Sequence, residues 1–374
     1  MKYAAELESR FKMWVLPTLG RPAICQNALN SIIEVGCSTP GIVVIDGDPD
    51  PRYRDLTLPS GWRQLANPHN RGYLDTFNGA FQSYPDEPWY GLLNDDFLVR
   101  TPGWDERLVA AAGALGFSSS NDLWQSGQPA PGKPSGRMCG ALVFGGDMLR
   151  ALGWWAPPGL FHCYADDAWE LILARLGNRI YLRDVIVEHR QDERDDTNRH
   201  AYSKLEADRL VWERFEREHM PAAIERVARA RGVEVTREPV QGFKNPAPAI
   251  FTLTASNNQG YVDIPGATGT GAFAVSTVNI GSDGIITVST DTGAVTLPVS
   301  VTICQTDPAT GACLGTPAAN VTTTITANAT PTFGIFVAGL AAVADLPGVN
   351  RVFVSFTDAN GVLCGETSVA VRTQ

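Results

Sequence analysis

No apolar run in the sequence approaches the roughly 18 residues that a membrane-spanning helix needs. Near the start only Met13–Leu16 is continuously apolar, and Glu6, Glu8, Arg10 and Lys12 stand before it. That is too short for a signal-peptide core, so the expectation is synthesis in the cytoplasm without export by that route. Cysteine is scarce: seven in 374 residues, with no C-x-x-C pair. A disulfide scaffold and a Cys-based zinc site are therefore excluded. The chain also lacks the basic excess that nucleic-acid binding requires, with a net charge of −10. What is present is ordinary core material: 44% of residues are hydrophobic, enough to exclude global disorder.

The scarcities are unevenly distributed. From residue 250 onward the only basic residues are Arg351 and Arg372, and all nine tryptophans lie before residue 213. The C-terminal part is rich instead in Thr, Ser, Val, Ala and Gly. Two vocabularies predict two domains of different class, spanning 1–237 and 250–374. A proline-rich linker at 238–249 separates them. The length fits two or three domains.

The first part alternates strand-like and helix-like stretches. Apolar runs at Met13–Leu16, Gly41–Ile45, Trp89–Leu93, Cys139–Phe144 and Arg179–Val187 read as buried strands. Helical spacing marks residues 22–35, 74–83 and Ala165–Leu176, and residues 201–231 read as a charged helix or helix pair with Leu205, Trp212 and Phe215 on one face. This order predicts an α/β, Rossmann-like domain with a mostly parallel sheet. Three strands exit into polar residues: Pro17, Thr18 and Arg21 after the first, Asp46 and Asp48 after the second, Asn94-Asp95-Asp96 after the middle one. Strand exits on one sheet edge converge on a pocket. Adjacent carboxylates repel, and a divalent cation such as Mg²⁺ or Mn²⁺ would relieve them. Asp166-Asp167 opens a helix, as a cap or as a general base. His189 ends the last strand near these acids, as a structural residue or a further metal ligand.

In that order, residues 12–190 resemble a GT-A fold glycosyltransferase, most closely family 2. Leu16–Pro22 is similar to the opening nucleotide loop and Val44–Asp48 to the second-strand exit. Asn67–Gly72, which includes Asn70 and Gly72, resembles the N-x-G segment beside the nucleotide, continued at Asn78-Gly79. Leu93–Asp96 resembles the DxD metal motif, continued at Pro102-Gly-Trp104. Gly136–Gly153 resembles the acceptor-side segment. Asp166-Asp167 with Arg175 and Gly177 resembles the segment supplying the base, and Val187–His189 the closing metal-binding histidine. The resemblance implies a metal-dependent transferase. It would move a sugar from a nucleotide-sugar to an acceptor hydroxyl of a glycan or protein, inverting the anomeric centre. Asp167, with Asp166 beside it, would be the base, and Asp96 and His189 would hold the metal. Pro17, Thr18, Arg21, Asp46, Asp48, Asn70, Gly72, Asn94 and Asp95 would line the nucleotide site. The first DxD position is Asn94, which removes one charge. The acceptor half, near Trp124, Trp154, Trp155 and His162, has no family motif, and core packing explains the tryptophans as well as sugar stacking does.

In the C-terminal part, eight strands with turn signals between them predict an antiparallel β-sandwich: Phe251–Ser256, Ala272–Ile280, Ile285–Thr290, Leu297–Gln305, Val321–Ala327, Thr332–Gly339, Arg351–Thr357 and Thr367–Thr373. Cys304 and Cys313 flank a hairpin turn and read equally as a disulfide or as two small buried residues. This part resembles immunoglobulin-like modules at the C-termini of bacterial and phage surface proteins, chiefly in Gly365–Thr373. Such a module would bind a particle surface, a glycan or itself. It would make the enzyme virion-associated, or tie a cytosolic transferase to an acceptor. A reading of another class is a catalytically inactive structural or virion decoration protein. Asn94 favours that reading; Asp96, Asp167 and His189 oppose it.

Overall fold

A computed structural model of the chain describes residues 13–124, 140–176, 179–190, 199–200, 202–235, 248–256 and 260–374. These residues form two compact units, the first built on 13–122 and 140–235 and the second on 248–374. Most of the expected linker and Gly177 lie outside the described residues. Among the described residues, no helix is long and apolar enough to cross a membrane.

The first unit is built on an eight-stranded sheet. Its strands are β1 (Met13–Thr18), β2 (Gly41–Asp46), β3 (Arg63–Asn67), β4 (Trp89–Leu92), β5 (Phe97–Val99), β6 (Phe117–Asn121), β7 (Leu142–Gly145) and β8 (Arg179–His189), in the order β3-β2-β1-β4-β7-β6-β8-β5. The β3-β2-β1-β4 half is parallel. The expected mostly parallel sheet is instead mixed, because β7 runs antiparallel to both of its neighbours and β5 runs antiparallel to β8.

Every residue of β1 and β2 is buried, since helices cover both faces. Alternation along β1 sends Met13 and Val15 to one core and Trp14 and Leu16 to the other. The Trp14 and Leu16 core packs against α1 (Pro22–Val35) and α3 (Trp104–Ala112). The opposite core packs α2 (Tyr73–Ser83), α4 (Gly146–Leu152), α5 (Ala165–Leu176), α6 (Leu205–Glu218) and α7 (Met220–Arg231). Close packing demands Gly91: a Cβ there would lie 2.2 Å from the Trp14 ring. On α6 the buried face carries Trp212, Phe215 and the charged Asp208. Leu205, expected on that face, is 42% exposed.

The second unit has nine strands: β9 (Ile250–Ala255), β10 (Tyr261–Ile264), β11 (Thr270–Asn279), β12 (Gly284–Asp291), β13 (Val299–Thr306), β14 (Asn320–Ile325), β15 (Thr332–Gly339), β16 (Arg351–Asp358) and β17 (Leu363–Thr373). They form a five-stranded sheet, β10-β17-β16-β12-β14, and a four-stranded sheet, β13-β15-β11-β9. Val288, Val354 and Phe356 from the first sheet and Val275, Ile303 and Ile335 from the second share one core, so the unit is a β-sandwich. All pairings are antiparallel except β10 with β17. The short β10 was not among the expected strands, and β17 begins four residues before the expected Thr367. Of the two readings of Cys304 and Cys313, the structure forms the disulfide, with the Cα atoms 5.6 Å apart.

Candidate functional site

Strands β2, β1 and β4 are adjacent and parallel, so their carboxyl ends share one edge of the sheet. A cavity of about 180 Å³ opens there. Of the residues singled out in the sequence, Pro17, Thr18, Arg21, Asp46, Asn70, Asn94, Asp95, Asp96 and His189 line it. His189 arrives from the far side of the sheet. It ends β8 directly opposite Phe97 of β5, which sets its ring against Phe97 with centroids 4.8 Å apart and beside Asp96.

Asp95 is held tightly. Its Oδ2 accepts from the Thr18 hydroxyl at 2.8 Å, and its Oδ1 lies 3.2 Å from Arg21 Nη1. Arg21, itself 8% exposed, also reaches Asp96 Oδ2 at 3.4 Å. The guanidinium thus relieves the repulsion between the adjacent carboxylates, a task the sequence assigned to a cation. Burial, then the Asp96 charge, push the Asp95 carboxyl above its usual range, and Arg21 opposes them. Asp96 differs. Its Oδ1 is buried, accepts no hydrogen bond among the described residues, and faces His189 Nε2 at 3.3 Å. Among the described residues, no group of three or more His, Cys, Asp or Glu side chains is arranged to hold a metal ion. A carboxylate oxygen without a hydrogen bond beside an imidazole nitrogen fits a two-ligand cation site. Mg²⁺-type sites complete such a shell with water and substrate phosphates.

Several expected nucleotide residues have structural duties. Asp46 accepts from Asn67 Nδ2 at 2.8 Å and from the backbone N–H groups of Arg71 and Gly72 at 3.0 Å, tying the 67–72 loop to β2. Asp48 accepts from the Gly20 N–H at 2.6 Å and is not among the described residues that line the cavity. Gly72 has φ +95°, and a Cβ there would lie 2.7 Å from the Phe161 ring, so its role is close approach. Asn78 accepts from the Trp155 and Ala156 N–H groups. Trp154 and Trp155 are core residues, at 7% and 0% exposed, and Trp124 does not line the cavity.

Asp166 and Asp167 sit in the first turn of α5, and neither lines the cavity. Successive residues on a helix point about 100° apart. The Asp166 charge acts on Tyr73 and His162, both in the cavity wall, and also on Cys163. The Asp167 charge acts on Cys163, Tyr164 and Glu216.

The sequence reading missed Tyr73, Phe161, His200 and Tyr202, which also line the cavity. Tyr73 opens α2, and its hydroxyl donates to Asn94 Oδ1. Phe161 and His162 are positioned by Asp208 of α6. That buried carboxylate accepts the Phe161, His162 and Cys163 N–H groups, each at 2.8 Å. Burial holds the His162 imidazole below its usual pKa. A buried acid in a charge-rich helix leaves no sequence signal, because its neighbours at one-residue spacing are ordinary solvated charges.

No protein-family model matches the chain, and no curated protein matches it. Among solved structures it is similar to residues 1–349 of S. aureus TarS, at 15% identity and TM-score 0.34, over 47% of this chain and 58% of that one. It is also similar to GalNAc-T7 crystallised with UDP, GalNAc and Mn²⁺, at 12% identity and TM-score 0.39, over 49% of this chain and 44% of that one. The chain spans about half the length of the structures it matches.

Proposed function

We propose that the first unit is a GT-A type glycosyltransferase that moves a sugar from a nucleotide-sugar to an acceptor hydroxyl. The observation that carries this reading is the convergence of the β1, β2 and β4 exits with His189 on one cavity, where Asp96 keeps a buried oxygen without a hydrogen bond.

In this reading Asp96 and His189 hold a divalent cation. Such a cation would supply charge neutralisation for the departing diphosphate. Arg21, in the same wall, offers a fixed positive charge to the same oxygens. Asp167, with Asp166 beside it in the first turn of α5, takes the proton of the acceptor hydroxyl. The acceptor oxygen forms a bond to the anomeric carbon as the bond to the diphosphate oxygen breaks. The electron pair leaves with the nucleoside diphosphate. Direct attack inverts the anomeric centre. Phe161, Tyr73 and Tyr202 are aromatic members of the wall, on which a sugar face can pack.

One observation favours a second reading, a binding protein without turnover: Arg21 already pairs with both carboxylates. Incubation with UDP-, GDP-, CMP- and dTDP-sugars in Mn²⁺, with released nucleotide measured, separates the two. Turnover that Asp96→Ala abolishes supports the transferase. Donor binding with no release under any pairing supports the second reading.

A further inference from the structure

We propose that the first unit carries a second ligand site, separate from the transfer cavity, that takes a sugar residue bearing a carboxylate or a phosphate. A cavity of about 360 Å³ opens between the segment that follows α4 and the helices α6 and α7, a volume in the range of small-molecule pockets. No described residue lines both this cavity and the one at the sheet edge. Its apolar wall includes Trp154, Pro158 and Phe215, and the Trp154 and Phe215 ring centroids lie 5.6 Å apart. Its polar wall is Arg214, His219 and Arg226. The chain has a net charge of −10, yet no acidic side chain among the described residues lines this cavity.

The two guanidinium groups are placed for an anion. Arg214 and Phe215 share a face of α6 with Val211, three and four residues earlier, and Ala222 and Arg226 stand four apart on α7. Arg226 donates from Nε to the Ala151 carbonyl at 2.9 Å and from Nη2 to the Leu152 carbonyl at 2.8 Å. These bonds to the last turn of α4 fix the group and leave three of its five N–H donors for a ligand. Arg214 makes no hydrogen bond or ion pair among the described residues. One fixed fork and one unpaired guanidinium, with no acid between them, match a carboxylate or a phosphate. The rings beside them match the apolar face of a ring-shaped body. The choice of a sugar over another anionic ring rests on the transferase reading. Trp154 and Pro158 line this cavity, and Phe161 and His162, further along the same segment, line the transfer cavity. Asp208, which fixes Phe161 and His162, lies on α6 about 10 Å before Phe215 at 1.5 Å per residue.

Ligand-observed NMR titration of the full chain with glucuronate, glucose 6-phosphate, glucose, inorganic phosphate and benzoate tests the inference. Glucuronate or glucose 6-phosphate is expected to bind about tenfold or more tightly than glucose, and the tighter of the two assigns the carboxylate or the phosphate. Arg214→Ala is expected to weaken that ligand about tenfold. Ala222→Trp, which fills the cavity from α7, is expected to abolish its binding, and Asp96→Ala, in the other cavity, to leave it unchanged. Arg214 and Ala222 are both exposed, so neither variant removes core. Equal affinity for glucose would overturn the inference, and so would wild-type affinity in Arg214→Ala or no binding of either acidic sugar. Inorganic phosphate binding as tightly as glucose 6-phosphate would reduce the site to an anion site, and benzoate binding more tightly than both acidic sugars would give it to another anionic ring; either result overturns the sugar assignment. Nucleotide-sugar turnover by the same preparation reads the transferase reading separately. Turnover without acidic-sugar binding overturns this inference alone, and acidic-sugar binding lost in Arg214→Ala supports it even where turnover fails.

Discussion

At the residue scale, the site separates acids that look alike in sequence. Asp46, Asp48, Asp95 and Asp96 all follow apolar strands, yet only Asp96 keeps a buried oxygen without a hydrogen bond among the described residues. A separation is also expected within the proposed base pair. Asp167→Asn is expected to lower turnover by about 100-fold or more while sparing donor affinity, the range for a general base. Asp166→Asn is expected to lose less than about tenfold. Steady-state rates and nucleotide titration of both variants check this; the reverse ranking would move the role to Asp166. The positions of the acids at strand and helix ends were legible in the sequence. Which oxygen is engaged by Thr18, Arg21 or a loop amide was not, because those partners lie 25 to 77 residues away.

At the scale of elements, the strands buried on both faces were the easiest to read, since Gly41–Ile45 and Trp89–Leu93 need no alternation. Strand β6, Phe-Ser-Ser-Ser-Asn, was missed because it is buried throughout although four of its five side chains are polar. Ser118 donates to the Leu108 carbonyl, and Ser120 accepts from the Ala141 N–H. Helix α3 was missed for a related reason: its first turn carries Asp105, which holds the chain after α1. The Asp105 carboxylate, 1% exposed, accepts from the N–H and hydroxyl groups of Ser38 and Thr39 at 2.8–3.0 Å. Burial pushes this carboxyl up, but hydrogen bonds from Thr39, Cys37 and Ser38 outweigh burial and hold it below its usual range. Its stabilising contribution is therefore complete above the unfolded value of about 4 and is lost as pH falls through the lower folded value. Asp105→Asn is expected to cost about 2–3 kcal/mol at pH 7. The gap to wild type should close below about pH 4, as read from denaturant unfolding across pH.

At the scale of the whole molecule, the break in vocabulary near residue 245 corresponds to two units with separate cores. In the first, two clusters join helices to the faces of the mixed sheet, and in the second one cluster lies between the two sheets. The Cys304–Cys313 bond closes a loop of nine residues' separation in the second unit. Such a loop contributes about 3 kcal/mol in the chain-entropy account. Cys313→Ser, or reductant, is expected to lower the unfolding midpoint of the second unit and leave nucleotide binding by the first unchanged; calorimetry with and without reductant reads both. The central claim is that the first unit carries an intact, cation-assisted nucleotide-sugar site at the Asp96 and His189 edge. The most direct measurement is the thermal shift of the full chain with UDP-, GDP-, CMP- and dTDP-sugars, with and without Mn²⁺, beside Asp96→Ala. The expected result is a stabilisation that needs both nucleotide-sugar and Mn²⁺ and disappears in the variant. No shift from any pairing in the well-folded chain, or the same shift in Asp96→Ala, would contradict it.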